Sequence, residues 1–342
     1  MIKKHHLPLI LKAYRDYLKQ QKNPGFTLLE LLMAMLVASI VVYAMLSLVV
    51  SLLGTEKRET AKSQTQIEMG QAMDYIASEI EQAAYIYEGA CLVGGRGNLG
   101  DNQYCPGLTN VISFPDGLTP VLAFWQLEPV PYTSDGQLPA RCDTMGALAQ
   151  ECYAIKNSRS SYTLVVYGLR TDNTGTWEGP ARITRYQLRK YKSDELLNLT
   201  ITDNYIDPQD TGFQTWPCSG NTCTIAQITE YNDSVLVDLV DQDDATITLT
   251  DLQGICSDYN YGPTGSQIQY SLSPPTDTSD NFYACVAEPS GSGNYQDAVV
   301  FIRGNAATRA GKPGSRNPIY LPNISRRVKA GTLIERTPPI TE

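Results

Sequence analysis

"KQQKNPGFTLLELLMAML", residues 19–36, sets one acid, Glu30, just inside an apolar run that opens after a basic segment ending in Pro24-Gly25. From Phe26 to Leu53 the 28 residues carry a single charged side chain, Glu30. As a helix they measure about 42 Å, more than the roughly 30 Å of a bilayer's hydrocarbon layer. The run can span a membrane with tilt. A carboxylate inside such a helix costs about 2.5–3.5 kcal/mol even on lenient insertion scales, and such groups are usually partnered. No Lys or Arg lies between Phe26 and Glu56, so the partner is either external or the nearby interface, reached by snorkelling.

The residues upstream set the orientation. Lys3, Lys4, Lys12, Arg15, Lys19 and Lys22 against Asp16 give the first 25 residues a charge of +5. The whole chain of 342 residues carries −9, so the remainder holds −14, the difference of the two. Basic flanks stay in the cytoplasm, which places the chain beyond residue 54 outside. Leu7, Ile10, Leu11, Tyr14 and Leu18 recur at helical spacing, so the leader reads either as an interfacial amphipathic helix or as a disordered basic tail. A secretory signal places its cleavage site after the apolar core, whereas here Pro24-Gly25 stands before it. Cleavage after Gly25 would leave the anchor attached and make Phe26 the new N-terminus.

The acidic body argues against nucleic acid as a partner, since phosphate binding needs clustered bases. Both histidines, His5 and His6, lie in the leader, so a processed chain has none. That excludes a Ser-His-Asp triad and imidazole metal sites, and no cofactor is expected. An extracytoplasmic enzyme using paired carboxylates survives as a minor alternative, with no pair standing out. Near "DLVDQDDATI", Asp238, Asp241, Asp243 and Asp244 lack the calcium-loop pattern and read as a solvated acidic turn. The loop "GGRG", residues 94–97, opens no helix and is no phosphate site.

All eight cysteines fall beyond residue 90, as an oxidising compartment would produce. Sequence alone leaves their connectivity open, and buried thiols remain an alternative. The favoured arrangement pairs chain neighbours: Cys91 with Cys105, Cys142 with Cys152, Cys218 with Cys223, and Cys256 with Cys285.

After Gly54 the chain turns polar, with Met69, Ala72, Met73, Ile76, Ile80, Ala83 and Ala84 on one helical face. Beyond Gly89 strands are expected at 111–114, 121–127, 162–170, 182–191, 234–240, 245–252 and 298–305. The stretch "RITRYQLRKY" is read as a strand with a basic outer face. Twenty-one tyrosines against six phenylalanines suit the partly wet positions of a sheet, or less often a binding surface.

"GFTLLE", residues 25–30, after a basic leader and before an uninterrupted apolar helix, resembles the class III signal of type IV pilins and type II secretion pseudopilins. The resemblance covers about residues 20–90, and the leader is longer than in many type IVa pilins. It implies that prepilin peptidase cuts after Gly25 and methylates the Phe26 amine, and that Glu30 guides docking into a filament. The partners implied are that peptidase, other pilins and an inner-membrane assembly platform. "TEKRETAKSQTQIEMGQAMDYIASEIEQAAYIYEG" leading into "VLAFWQLEPVPY" resembles the large PilW-type minor pilins, and among them the cyanobacterial hormogonium polysaccharide secretion pseudopilins. That implies a part in surface motility or polysaccharide export, from the inner (cytoplasmic) membrane and then a pilus or pseudopilus. A pilus-tip adhesin or polysaccharide-binding module is the alternative function.

The expected fold is α+β and pilin-like, with a long N-terminal helix on a β-rich, disulfide-stapled head. Its parts are a leader (1–25), a membrane or filament-core helix (26–53), an amphipathic helix (54–88), the head (89–325) and a flexible tail (326–342).

Overall fold

The computed structural model describes residues 25–331 apart from 102–103, 173–174, 221, 224–225, 243–246, 264–266, 277–280 and 289–295. The leader helix expected within residues 1–24 lies outside the described residues. The chain is α+β and divides after Lys57 into two compact units.

The first unit holds the apolar part of helix α1, which runs Leu28–Ile80 and is long and apolar enough to cross a membrane. Its large side chains from Leu28 to Leu53 are exposed. The absence of Gly or Pro between Leu28 and Leu53 lets the helix run unbroken.

The second unit begins at Arg58. Here α1 buries Ala61, Thr65, Met69, Ala72, Met73, Ile76, Ala77 and Ile80, which includes the expected Met69, Ala72, Met73, Ile76 and Ile80, whereas Ala83 and Ala84 lie beyond the helix. Two antiparallel sheets meet that stripe. The first has the order β1 (Ala83–Ile86), β2 (Leu118–Pro129), β3 (Ser160–Arg170), β4 (Ala181–Leu188) and β5 (Asn232–Val240). The second has β6 (Tyr270–Ser273), β7 (Phe282–Ala287), β8 (Asp297–Arg303) and β9 (Asn323–Lys329). One core joins Met69, Ile76 and Ile80 to Phe124, Val165 and Ile183 of the first sheet and to Phe282, Val300 and Ile302 of the second. Each fully buried aliphatic side chain contributes roughly 1.5–3 kcal/mol, so the helix stripe alone supplies much of the cohesion.

The other face of the first sheet is covered by loops. Trp125, Leu164, Val166 and Tyr186 meet Trp216, Tyr205 and Ile228 there. Trp125 and Trp216 sit edge to face at 5.2 Å, a pairing worth about 0.5–1.5 kcal/mol beyond burial. Several of the many tyrosines serve as hydrogen-bonded core groups: Trp125 Nε1 donates to Tyr87 Oη, and Tyr87 Oη to the Phe213 carbonyl. Burial pushes the Tyr87 and Tyr205 phenols well above their ordinary range.

Four disulfides staple the loops: Cys91–Cys105, Cys142–Cys152, Cys218–Cys223 and Cys256–Cys285. Each joins chain neighbours, and the longest, 29 residues apart, ties helix α3 (Leu249–Ser257) to β7. Such closures are worth typically 2–4 kcal/mol each. The helix before it, α2 (Ala149–Ser158), is held by Cys152 in the same way.

Several expectations change. The amphipathic helix stops at Ile80 rather than 88, because Ala83–Ile86 pairs with β2 and the Gln296 amide bonds both the N–H and the C=O of Ile86. Residues 249–252, expected in a strand, open α3, where the Thr248 hydroxyl and the Asp251 carboxylate cap one another's backbone N–H. Val111 closes a helical turn, and only Ile112 bridges to Ile228 in place of a strand at 111–114. Arg326–Lys329, expected in the tail, belongs to β9, so the head extends past residue 325.

The basic face expected for 182–191 is also absent, because β4 is covered on both sides. Arg182 pairs with Asp172, Arg185 with Glu79 and Arg189 with Glu128. The Arg185 pair anchors α1 to the sheet: its guanidinium meets the Glu79 carboxylate at 2.5 and 2.8 Å, and Tyr167 Oη donates to the same carboxylate at 2.5 Å. Burial alone would lower the Arg185 pKa, but the hydrogen bonds and charge of Glu79 more than reverse this and raise it. Arg185→Met should therefore cost about 3–5 kcal/mol, because Glu79 would stay buried without its cation. Pairing it with Glu79→Met should recover most of that loss. Thermal unfolding of the full chain in detergent, followed by circular dichroism, would measure both; equal losses in the two variants would contradict this account.

Candidate functional site

The start of α1 is built from five residues. Gly25, Phe26 and Thr27 precede the helix, and all three are exposed. Thr27 is the cap: its Oγ1 accepts from the Glu30 N–H at 3.3 Å, and its carbonyl accepts from the Leu31 N–H at 3.2 Å. Thr-x-x-Glu is the spacing of a helix-capping box, a signal present in the sequence and passed over there. Glu30 thus stands at the third helical position, in the first turn. An anion there is favoured by about 0.3–1 kcal/mol through the unpaired N–H groups of the helix start.

This local benefit offsets only part of the insertion cost. The described residues within α1's apolar part supply no cation for Glu30, in keeping with the sequence. Phe26 is 78% exposed and Gly25 has nothing within 4 Å of the place a Cβ would occupy. The Gly25–Phe26 peptide is therefore open to an enzyme's cleft, and the glycine answers no packing need of its own chain. The structure brings Phe26 and Glu30 to the same helix end; the cysteines all lie in the head and take no part in this site.

In the head, the buried acids face cations. Asp241, expected in a solvated turn, is buried and bonded to Arg303 and Asn305, where it ties β5 to the end of β8. Asp238 accepts from the backbone N–H groups of Glu178 and Gly179. These two acids are structural, and Asp243 and Asp244 lie outside the described residues. Glu88 lies close to Cys91 and Cys105, but both sulfurs are consumed in a disulfide and offer no thiolate to a metal. Burial raises the Glu88 carboxyl above the usual carboxylate range, and Arg96, 2.6 Å away, pulls it part of the way back.

A polar cleft of about 360 Å³ opens where β4 ends and β5 begins, lined among others by Gln187, Arg189, Ser193, Glu195, Tyr231 and Asn232. Its arginine is held by Glu128 and its lysine, Lys192, by Glu230. The cleft also presents the exposed carboxylates of Asp194 and Glu195 beside these pairs. It was invisible in the sequence because its lining comes from segments some forty residues apart.

Comparison with protein-family models, with curated proteins and with solved structures finds no match to this chain.

Proposed function

We propose that this chain is a minor pilin or pseudopilin, a non-enzymatic subunit of a type IV pilus or of a related secretion machine. Its work is assembly. The helix holds the subunit in the inner membrane with the head outside; a prepilin peptidase removes residues 1–25 and methylates Phe26; Glu30 then meets the new amine of a neighbouring subunit as the helix leaves the lipid. The service of surface motility or polysaccharide export follows from the PilW-type resemblance.

The observation that carries this reading is the conjunction at the start of α1. An open Gly25–Phe26 bond, a Thr27 cap and a first-turn carboxylate precede one membrane-length apolar helix. A secretory signal would not keep its apolar segment beyond the cleavage site. The four disulfides of the head suit an oxidising compartment. A head ligand such as a glycan is best sought in the β4–β5 cleft, whose polar lining can bond hydroxyl groups.

Co-expression with a prepilin peptidase tests the main reading. Intact mass of the membrane-extracted chain should show loss of Met1 to Gly25 and the gain of one methyl group. A chain that keeps its leader, or is cut after the apolar run, would contradict it.

A further inference from the structure

The β4–β5 cleft is assembled from two short pieces of chain that the fold holds in place. After β4 the chain turns back on itself: Tyr191 bridges Ile201, the Lys192 N–H donates to the Thr200 carbonyl, and the Thr202 N–H donates to that of Lys190. Between these rungs the turn Leu196–Asn198 is fixed by the buried side chains of Leu196 and Leu199. Just before it, Asp194 and Glu195 line the cleft and are exposed. Gln187 and Asn232 are direct neighbours in the β4–β5 register, so their amides stand side by side on one face.

Both cations of the lining are already engaged. Arg189 forks onto the Glu128 carboxylate at 2.5 and 3.0 Å and lies over the Tyr132 ring at 4.5 Å, while Lys192 meets Glu230 at 2.9 Å. Asp194 and Glu195, by contrast, have no ion pair among the described residues. No third donor among those residues converges on them, as a metal ion would require. Thr202 is an independent signal: it lines the cleft although only 7% exposed, and its hydroxyl has no hydrogen-bond partner among the described residues. A buried hydroxyl left unbonded is costly, so its partner comes from whatever enters the cleft.

A fitting ligand brings positive charge to two carboxylates and hydroxyl groups to a threonine and two amides. It needs no apolar anchor: among the described residues no Leu, Ile, Val, Met, Phe or Trp lines the cleft, whereas protein partners dock through large side chains in desolvated pockets. At about 360 Å³ the cleft falls within the range of small-molecule sites, roughly 300–1,000 Å³. We propose that it binds a polysaccharide bearing free amines, of the glucosamine class, with Asp194 and Glu195 facing the ammonium group and Thr202, Gln187 and Asn232 bonding ring hydroxyls. This rests on the reading of the cleft as a glycan site and adds the charge of the sugar. An acidic glycan would be repelled by the same carboxylates. The −14 that the chain carries beyond its leader attracts a cationic polymer at longer range.

The test uses the full chain in phosphatidylcholine nanodiscs, titrated with a glucosamine tetramer or with the matched N-acetylglucosamine tetramer at about pH 6, where an amine of ordinary basicity is protonated. The amine form should bind about tenfold more tightly, the advantage that two part-exposed ion pairs give. That advantage should vanish in about 1 M salt, where screening acts over roughly 3 Å, and in Asp194→Asn with Glu195→Gln. Thr202→Val keeps the shape and should weaken both tetramers about fivefold, as the loss of one hydrogen bond does. All four disulfides present by mass would be the folding control. Equal affinity for the two tetramers, or an amine preference that survives the double substitution, would overturn the proposal and leave the glycan reading standing. Failure of the natural chain to bind either tetramer would overturn both, and displacement of the tetramer by an equal concentration of hexalysine would assign the cleft to a basic protein segment instead.

Discussion

Gly25→Leu should leave the chain at its full length in the membrane, with leader and head both intact. The argument rests on what the glycine is not needed for. Nothing lies within 4 Å of the place its Cβ would occupy, and its backbone is outside the left-handed region that would demand glycine. The chain can therefore accept a leucine there without strain. A peptidase cleft that grips an extended segment is less tolerant, since a small misplacement of the scissile bond costs about 10²-fold in rate. Gel mobility and intact mass in cells carrying a prepilin peptidase would report the outcome. The four disulfides and the unfolding midpoint of the head should be unchanged. Normal cleavage of the leucine variant would mean that the Gly25–Phe26 bond is not the one cut.

The same residues show why this site was legible while much of the head was not. The apolar run, the basic leader and Glu30 are features of composition and order along one continuous segment, which a sequence displays directly. Strands β2, β3, β4, β5 and β8 were also visible, because their apolar and β-branched runs are long. Strand β7, "FYACVA", was overlooked although all six of its residues are buried. It lies within a stretch rich in Pro, Ser and Asp, and those flanks outweighed the short apolar run. Strands β1 and β6 are four residues each and owe their extended form to their partners, β2 and β7.

Residues 249–252 were misread for a different reason. Thr-rich sequence favours strands, yet Thr248 and Asp251 form a capping box, and Leu252 and Cys256 then fall on one helical face. The polar alternation of β4 was legible, but its meaning was not. Arg182 and Arg185 look like an outer face until Asp172, across the β3–β4 connection, and Glu79, far away in the chain, are brought against them. Buried charge pairs are tertiary facts, and no local pattern announces them.

Glu30→Gln should be processed and inserted as the natural chain is, yet enter filaments at well under a tenth of the normal level. Glu30 does two jobs that must be separated. As the third residue of α1, behind the Thr27 cap, its charge favours the helix start by no more than about 1 kcal/mol, so glutamine there should leave the helix formed. Glutamine keeps the shape and the hydrogen-bonding oxygen and loses only the charge. If the carboxylate's task is to meet a neighbour's N-terminal amine once lipid and water are excluded, its loss leaves that cation buried and alone. Breaking a buried pair in this way costs about 3–5 kcal/mol, more than a hundredfold in an assembly equilibrium. Glu30→Ala, which loses the side chain's oxygens as well and keeps the Thr27 cap, should be no worse in assembly than Glu30→Gln. Immunoblots of sheared filaments against membrane fractions would give the ratio for each. Should the glutamine variant assemble normally while the alanine variant fails, the carboxylate would be a helix-start device, and the partner of the Phe26 amine would have to be sought elsewhere.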